Sequence, residues 1–105
     1  MGVAMGNRNT QAKNALQELF RALECLESPE ELELFLADLL TPAELHAIPR
    51  RWLAAVALQS GKTIEQVSEE LDMAGATIVR VRRALSFGTG GYRHVLARSC
   101  PTDRA

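Results

Sequence analysis

Three segments of the chain open with the same local code, a Ser or Thr followed three residues later by Glu or Gln. They are Ser28-Pro29-Glu30-Glu31, Thr41-Pro42-Ala43-Glu44 and Thr63-Ile64-Glu65-Gln66. In this capping box the hydroxyl oxygen accepts a free N–H at the helix start, and the Glu or Gln reaches back to the N–H of the first residue. The first two segments also place Pro at the first helical position, where its missing N–H costs nothing. Helices are therefore predicted to begin after residues 28, 41 and 63.

Apolar spacing supplies the rest of the pattern. Ala12, Ala15, Leu16, Leu19, Phe20, Leu23 and Leu26 recur at the three-and-four interval of one helical face and predict a first helix over 10–26. Leu32, Phe35, Leu36, Leu39 and Leu40 predict a second. Leu45, Ile48, Trp52, Ala55 and Val56 predict a third that runs to Gly61, with a kink or a break at 46–49 because Pro49 removes a hydrogen bond and crowds the preceding turn. The fourth is expected at 64–71 and the fifth at 75–86. Gly88, Gly90 and Gly91 then read as a flexible joint before a short sixth helix carrying Tyr92, Val95 and Leu96. Hydrophobic residues make up 47% of the chain and charged residues 24%, a globular balance, and β-branched residues are few outside 63–81. The expected fold class is all-α with about six helices. A single domain at 10–99 is expected, with a disordered N-terminus at 1–9 and a frayed C-terminus at 100–105. A domain of 105 residues buries only about two-thirds of the surface its unfolded chain exposes, so dimerisation would help it.

Several functions are excluded by what the chain lacks. The N-terminal MGVAMGNRNT has no apolar signal-peptide core, Gly6 stands where a myristoylation signal wants Ser or Thr, and no apolar run approaches the roughly 20 residues a membrane span needs. A cytoplasmic location is expected. Cys25 and Cys100 have no paired spacing; Cys25, among Leu23 and Leu26, reads as a small core hydrophobe, and Cys100 lies near the frayed end. His46 and His94 stand alone, without a ligand set for a metal. No strand precedes Gly88-Thr89-Gly90-Gly91 and no Lys-Ser/Thr follows it, so it reads as a hinge and not a phosphate loop. No nucleophile, base and orienting group can be assembled, so neither an enzyme nor a cofactor is expected. Trp52 falls on the apolar stripe of the third helix and reads as a core or dimer-interface residue.

The net charge of −1 conceals an asymmetry: residues 1–49 hold eight acidic against three basic residues, and residues 50–105 hold five against nine. The basic half contains the most informative segment. Ile64, Val67 and Leu71 share one face of the fourth helix, Ile78, Val81 and Leu85 share one face of the fifth, and Met73 lies between them. About three residues separate the two helices, which forces a steep crossing and makes the second protrude as the reading element of a helix-turn-helix, over residues 63–86. Asp72 falls where a left-handed residue is needed, a conformation Asp tolerates. Arg80, Arg82 and Arg83 lie off the buried stripe of the fifth helix, where arginine can bridge a guanine edge or neutralise a phosphate. The expected contact set on double-stranded DNA is Gln66, Gly75, Ala76, Thr77, Val79, Arg80, Arg82 and Arg83. Small residues at 74–76 and the apolar Val79 offer little base readout, and Glu65, Glu69 and Glu70 on the fourth helix repel phosphate, so a modest and strongly salt-dependent affinity is expected. Arg50 and Arg51 suit either phosphate or an acidic partner such as Glu44.

Leu40-Thr41-Pro42 through Arg51, Gly61 and Ala76-Thr77-Ile78-Val79-Arg80 together resemble the Trp repressor superfamily. Arg80-Val81-Arg82-Arg83-Ala84-Leu85, followed by Phe87-Gly88-Thr89-Gly90-Gly91-Tyr92-Arg93, is similar to its YerC/YecD group, and the likeness covers roughly residues 14–98. The resemblance implies six helices intertwined with a second copy in a homodimer, whose two heads meet successive major grooves. It also implies an effector pocket at Thr41, Arg51, Arg80 and Val81. Tryptophan-sensing members keep Gly at the position of Val81 and Ser at that of Ala84, and their turn is one residue longer, so a tryptophan response is not expected. Against the DNA-binding regulator stands a second class of function, a helical protein-interaction module that keeps the helix-turn-helix only for packing.

Overall fold

The computed structural model describes residues 8–99, and among these it contains six helices and no strand. They are α1 (Arg8–Glu24), α2 (Pro29–Leu39), α3 (Pro42–Gln59), α4 (Ile64–Leu71), α5 (Gly75–Phe87) and α6 (Gly91–Ser99). The three helices predicted to begin after Ser28, Thr41 and Thr63 start at the following residue. Residues 1–7, Cys100 and the rest of the expected frayed C-terminus lie outside the described residues. The chain divides into two compact units, Met1–Thr41 and Pro42–Ala105.

In the first unit α1 starts at Arg8, so the expected disorder of residues 1–9 does not extend to residues 8 and 9. The helix also closes earlier than its apolar spacing suggested. Cys25 and Leu26 donate backbone bonds to Ala22 and Leu23, at 3.1 and 3.2 Å, which tightens the last turn. Cys25 sits in that turn and is exposed, not a core residue, because its apolar neighbours mark the end of the helix and not its buried face. At α2 the Ser28 hydroxyl accepts the Glu31 N–H at 3.1 Å, as the capping code requires. The return bond differs from the expected box: the Glu31 carboxylate accepts from Glu27 at 2.8 Å, one residue before the cap. Leu16, Phe20, Leu32, Leu34 and Leu39 on these two helices are exposed.

The second unit holds the core. Helix α3 runs unbroken through Pro49, so of the expected kink or break the break does not occur. The N–H that proline lacks would have met the Leu45 carbonyl, and beside it the Arg50 guanidinium donates to the His46 carbonyl at 3.1 Å, a charge-assisted bond in that same turn. This also places Arg50 on the backbone of its own helix. Farther along, Ala54 and Ala55 are fully buried. Their small side chains let α4 and α5 approach α3 closely, and Val67, Ile78 and Val81 complete one buried cluster with them. Ile64, Leu71, Met73 and Leu85 pack around it, so all seven apolar residues assigned to the helix-turn-helix core lie in or against it. At the C-terminus of α3, Lys62 and Gly61 donate to the carbonyls of Ala57 and Leu58, and Gly61 has φ +104°, a left-handed stop that suits glycine. Half-buried Trp52 of α3 stacks on Tyr92 of α6, ring centroids 6.4 Å apart and planes 29° apart.

Candidate nucleic-acid interface

Helix α4 is closed at both ends by its own side chains. The Thr63 hydroxyl accepts the Gln66 N–H at 3.1 Å, and the Gln66 side-chain oxygen accepts the Thr63 N–H at 2.9 Å. Gln66 is exposed, but its acceptor is committed to the cap, so what it can offer DNA is its amide NH2. At the other end Asp72 takes φ 53° and ψ 53°, the left-handed conformation expected of it. The Ser68 hydroxyl donates to the Met73 carbonyl at 2.6 Å, while the Met73 N–H donates to the Ser68 carbonyl at 3.1 Å. Ser68 thus clamps the turn, a role the sequence analysis missed. Its signal was a small hydroxyl residue inside a short helix, five positions before the residue it holds.

Helix α5 is built differently. Ala74 stands at its N-cap with no side-chain bond, and the first turn has no acidic residue. The partial positive charge of that end is therefore left without a protein anion in the helix's own first turn. Ile78 and Val81 face inward and are buried, which by helical phase turns Val79, Arg80, Arg82 and Arg83 outward. Ala76 is exposed as well, whereas Gly75 and Thr77 are half-buried. Among the described residues Arg80, Arg82 and Arg83 make no ion pair; the cations that do are Arg21, with Glu18 at 2.6 Å, and Lys62, with Glu70 at 2.8 Å. The Lys62 bridge offsets one of the three exposed carboxylates of α4, and Glu65 and Glu69 keep their charge toward solvent.

Arg51 and Arg80 converge on a cleft of about 320 Å³ that is also lined by Thr77, Val81, Ala84 and Tyr92. Three of the four effector-pocket residues named from the resemblance therefore share one cleft. Thr41 belongs to the other unit. Val81 is only 4% exposed, because its side chain fills the core beneath α5. At the far end of α5, Gly88 closes the helix by donating to the Ala84 carbonyl at 2.9 Å. A Cβ on Gly88 would lie 2.5 Å from that same carbonyl oxygen, so the position requires glycine for space, and Gly90, with φ +96°, requires it for conformation. Arg93 of α6 reaches back to the Leu85 and Ser86 carbonyls, at 2.9 and 3.1 Å.

Two helices sharing one small core across a tight turn, the second carrying arginines with no ion-pair partner among the described residues, define a helix-turn-helix protein. The family is settled by likeness to known chains. The sequence model described as Trp repressor protein matches residues 14–100. The protein called "Uncharacterized protein YerC" of Bacillus subtilis (strain 168) is 33% identical over 88 residues, which cover 84% of this chain and 85% of that one. The crystal structure of a putative Trp repressor from Staphylococcus aureus is 33% identical and aligns with a TM-score of 0.78 over 89% of this chain and 94% of its own. A TrpR like protein from Eubacterium eligens ATCC 27750 is 31% identical, with a TM-score of 0.78 over 87% of this chain and 94% of its own. The chain belongs to the Trp repressor family.

Proposed function

We propose that the protein is a sequence-specific DNA-binding transcription regulator, a binding protein and not an enzyme, whose α5 enters the major groove. The observation that carries this is the solvent face of α5, where Arg80, Arg82 and Arg83 stand without anionic partners among the described residues, on a helix whose start no side chain caps. Arg82 and Arg83 supply phosphate or guanine contacts, Arg80 is shared between that face and the cleft with Arg51, and Thr77 adds a lesser polar contact. Gly75, Ala76 and Val79 supply close approach more than hydrogen bonding, and Gln66 a single amide donor. Affinity then rests on arginine and falls steeply with salt.

The proposed working form is a homodimer, which family membership and the exposed apolar side chains of α1 and α2 support. The proposed place of action is the cytoplasm; no helix among the described residues is long and apolar enough to cross a membrane. Tryptophan is not the proposed effector, because Val81 occupies core volume where tryptophan-sensing relatives keep glycine, and addition of L-tryptophan is expected to leave the melting temperature unchanged.

Selection of bound duplexes from a random-sequence pool tests the function. The expected result is enrichment of two similar half-sites about one helical turn apart, each containing guanine. Failure to retain any duplex at low salt would refute it.

A further inference from the structure

Helix α5 has no basic residue in its last turn, so the negative end of its dipole and its final carbonyls lack a cation of their own. Arg93 supplies one from the next helix. Its Nε donates to the Leu85 carbonyl at 2.9 Å and its Nη2 to the Ser86 carbonyl at 3.1 Å, while the Ala84 carbonyl takes the Gly88 N–H at 2.9 Å. Of the last four carbonyls of α5, those of Ala84, Leu85 and Ser86 are thereby bound. We propose that Arg93 is a positioning residue for DNA binding, which fixes the C-terminal half of α5, and with it Arg82 and Arg83, in the pose that meets the duplex. This rests on the DNA-binding function proposed for α5.

Two features give the arrangement its reach. The chain reverses between α5 and α6 through Gly88, which has no room for a Cβ, and Gly90, whose φ is +96°. Tyr92, the neighbour of Arg93, stacks on Trp52 of α3. Helix α6 is thus held to α3 by a ring contact and to the end of α5 by a fork of two charge-assisted bonds. Arg82 and Arg83 lie within one turn of the Leu85 and Ser86 carbonyls, so a shift of that turn moves the groups that contact DNA. In the proposed role the Arg93 guanidinium acts through these backbone oxygens and not as a phosphate contact.

The test is the binding of the full chain to a mixed-sequence duplex, followed by fluorescence anisotropy over a salt series at a temperature where circular dichroism shows each variant fully folded. Arg93→Ala is expected to weaken binding about five- to tenfold, the loss of charge-assisted bonds, with the salt slope of the unaltered protein. Arg93→Lys is expected to restore part of that loss, since a single ammonium cannot reproduce the fork. Arg82→Ala, in contrast, is expected to lower the slope by about 1.8, one phosphate's worth from each protomer of the dimer. If Arg93→Ala does not fold, Arg93→Gln is read in the same way. An unchanged affinity beside a lowered melting temperature would make Arg93 purely structural and overturn the proposal, leaving the DNA-binding function intact. A slope lowered by about 1.8 would make Arg93 a phosphate contact in each protomer and also overturn it. No binding by the unaltered protein at any salt would remove the DNA-binding function and this proposal together.

Discussion

Helices α4 and α5 share one buried core yet treat their ends and surfaces in opposite ways. Helix α4 satisfies its own N-terminus through Thr63 and Gln66, stops at a left-handed Asp72 and turns Glu65, Glu69 and Glu70 to solvent. Helix α5 has no side-chain cap at its start, presents three arginines and takes its C-terminal cation from another helix. An element that only needs to support is closed locally. The proposed role of α5 fits this difference, since an element that meets an anionic partner keeps its positive end and its cations uncommitted.

The largest expected effect removes what the two helices share. Ile78 is fully buried, so Ile78→Ala is expected to cost about 2–5 kcal/mol. Thermal denaturation should show a melting temperature lower by about 10 °C or more, with a single transition; loss of α5 while α4 stays helical would separate the two helices and contradict the common core.

Next comes the rear end of α5. Gly88→Ala sets a Cβ against the Ala84 carbonyl, a backbone oxygen that cannot move without opening the last turn. A cost of about 1–3 kcal/mol is expected, read as a lower midpoint in urea with little change in slope. Gly75 has open space around its Cα, so Gly75→Ala is expected to be tolerated far better in the same assay.

The difference in capping supplies the smallest effects and the sharpest contrast. Thr63→Ala is expected to cost about 1 kcal/mol, since it removes the hydroxyl that accepts the Gln66 N–H. Ala74 already has the extended backbone of a cap, φ −64° and ψ 140°, so Ala74→Asp is expected to stabilise by up to about 1 kcal/mol. The same change should weaken DNA binding, because it puts a carboxylate at the end left open for phosphate. A melting temperature and an affinity that rise together in Ala74→Asp would show that the bare N-terminus of α5 has nothing to do with DNA.

What the sequence revealed of this contrast follows from how far each interaction reaches along the chain. The start of α4, the conformation of Asp72 and the outward phase of the arginines depend on residues at most four apart, and they could be read directly. The break allowed for at Pro49 does not occur, since a proline removes one bond and the ladder on either side of it persists. Cys25 misled because apolar spacing continued past the residue where α1 closes. The Arg93 fork spans seven and eight residues across a glycine turn, beyond the reach of any local pattern. Of the cleft, Arg51, Arg80 and Val81 were visible through family resemblance, but Tyr92 as its wall was not.

That α5 is the element bound to DNA is tested most directly by the salt dependence of affinity for a duplex carrying the selected site, with the unaltered protein beside the Arg82→Ala/Arg83→Ala double variant. The expected result is salt-sensitive binding by the former and a slope of log affinity against log salt lower by about 3.6 in the latter, two phosphates' worth from each protomer of the dimer, with at least a tenfold loss at moderate salt. An unchanged slope and affinity in the double variant would contradict the assignment of α5.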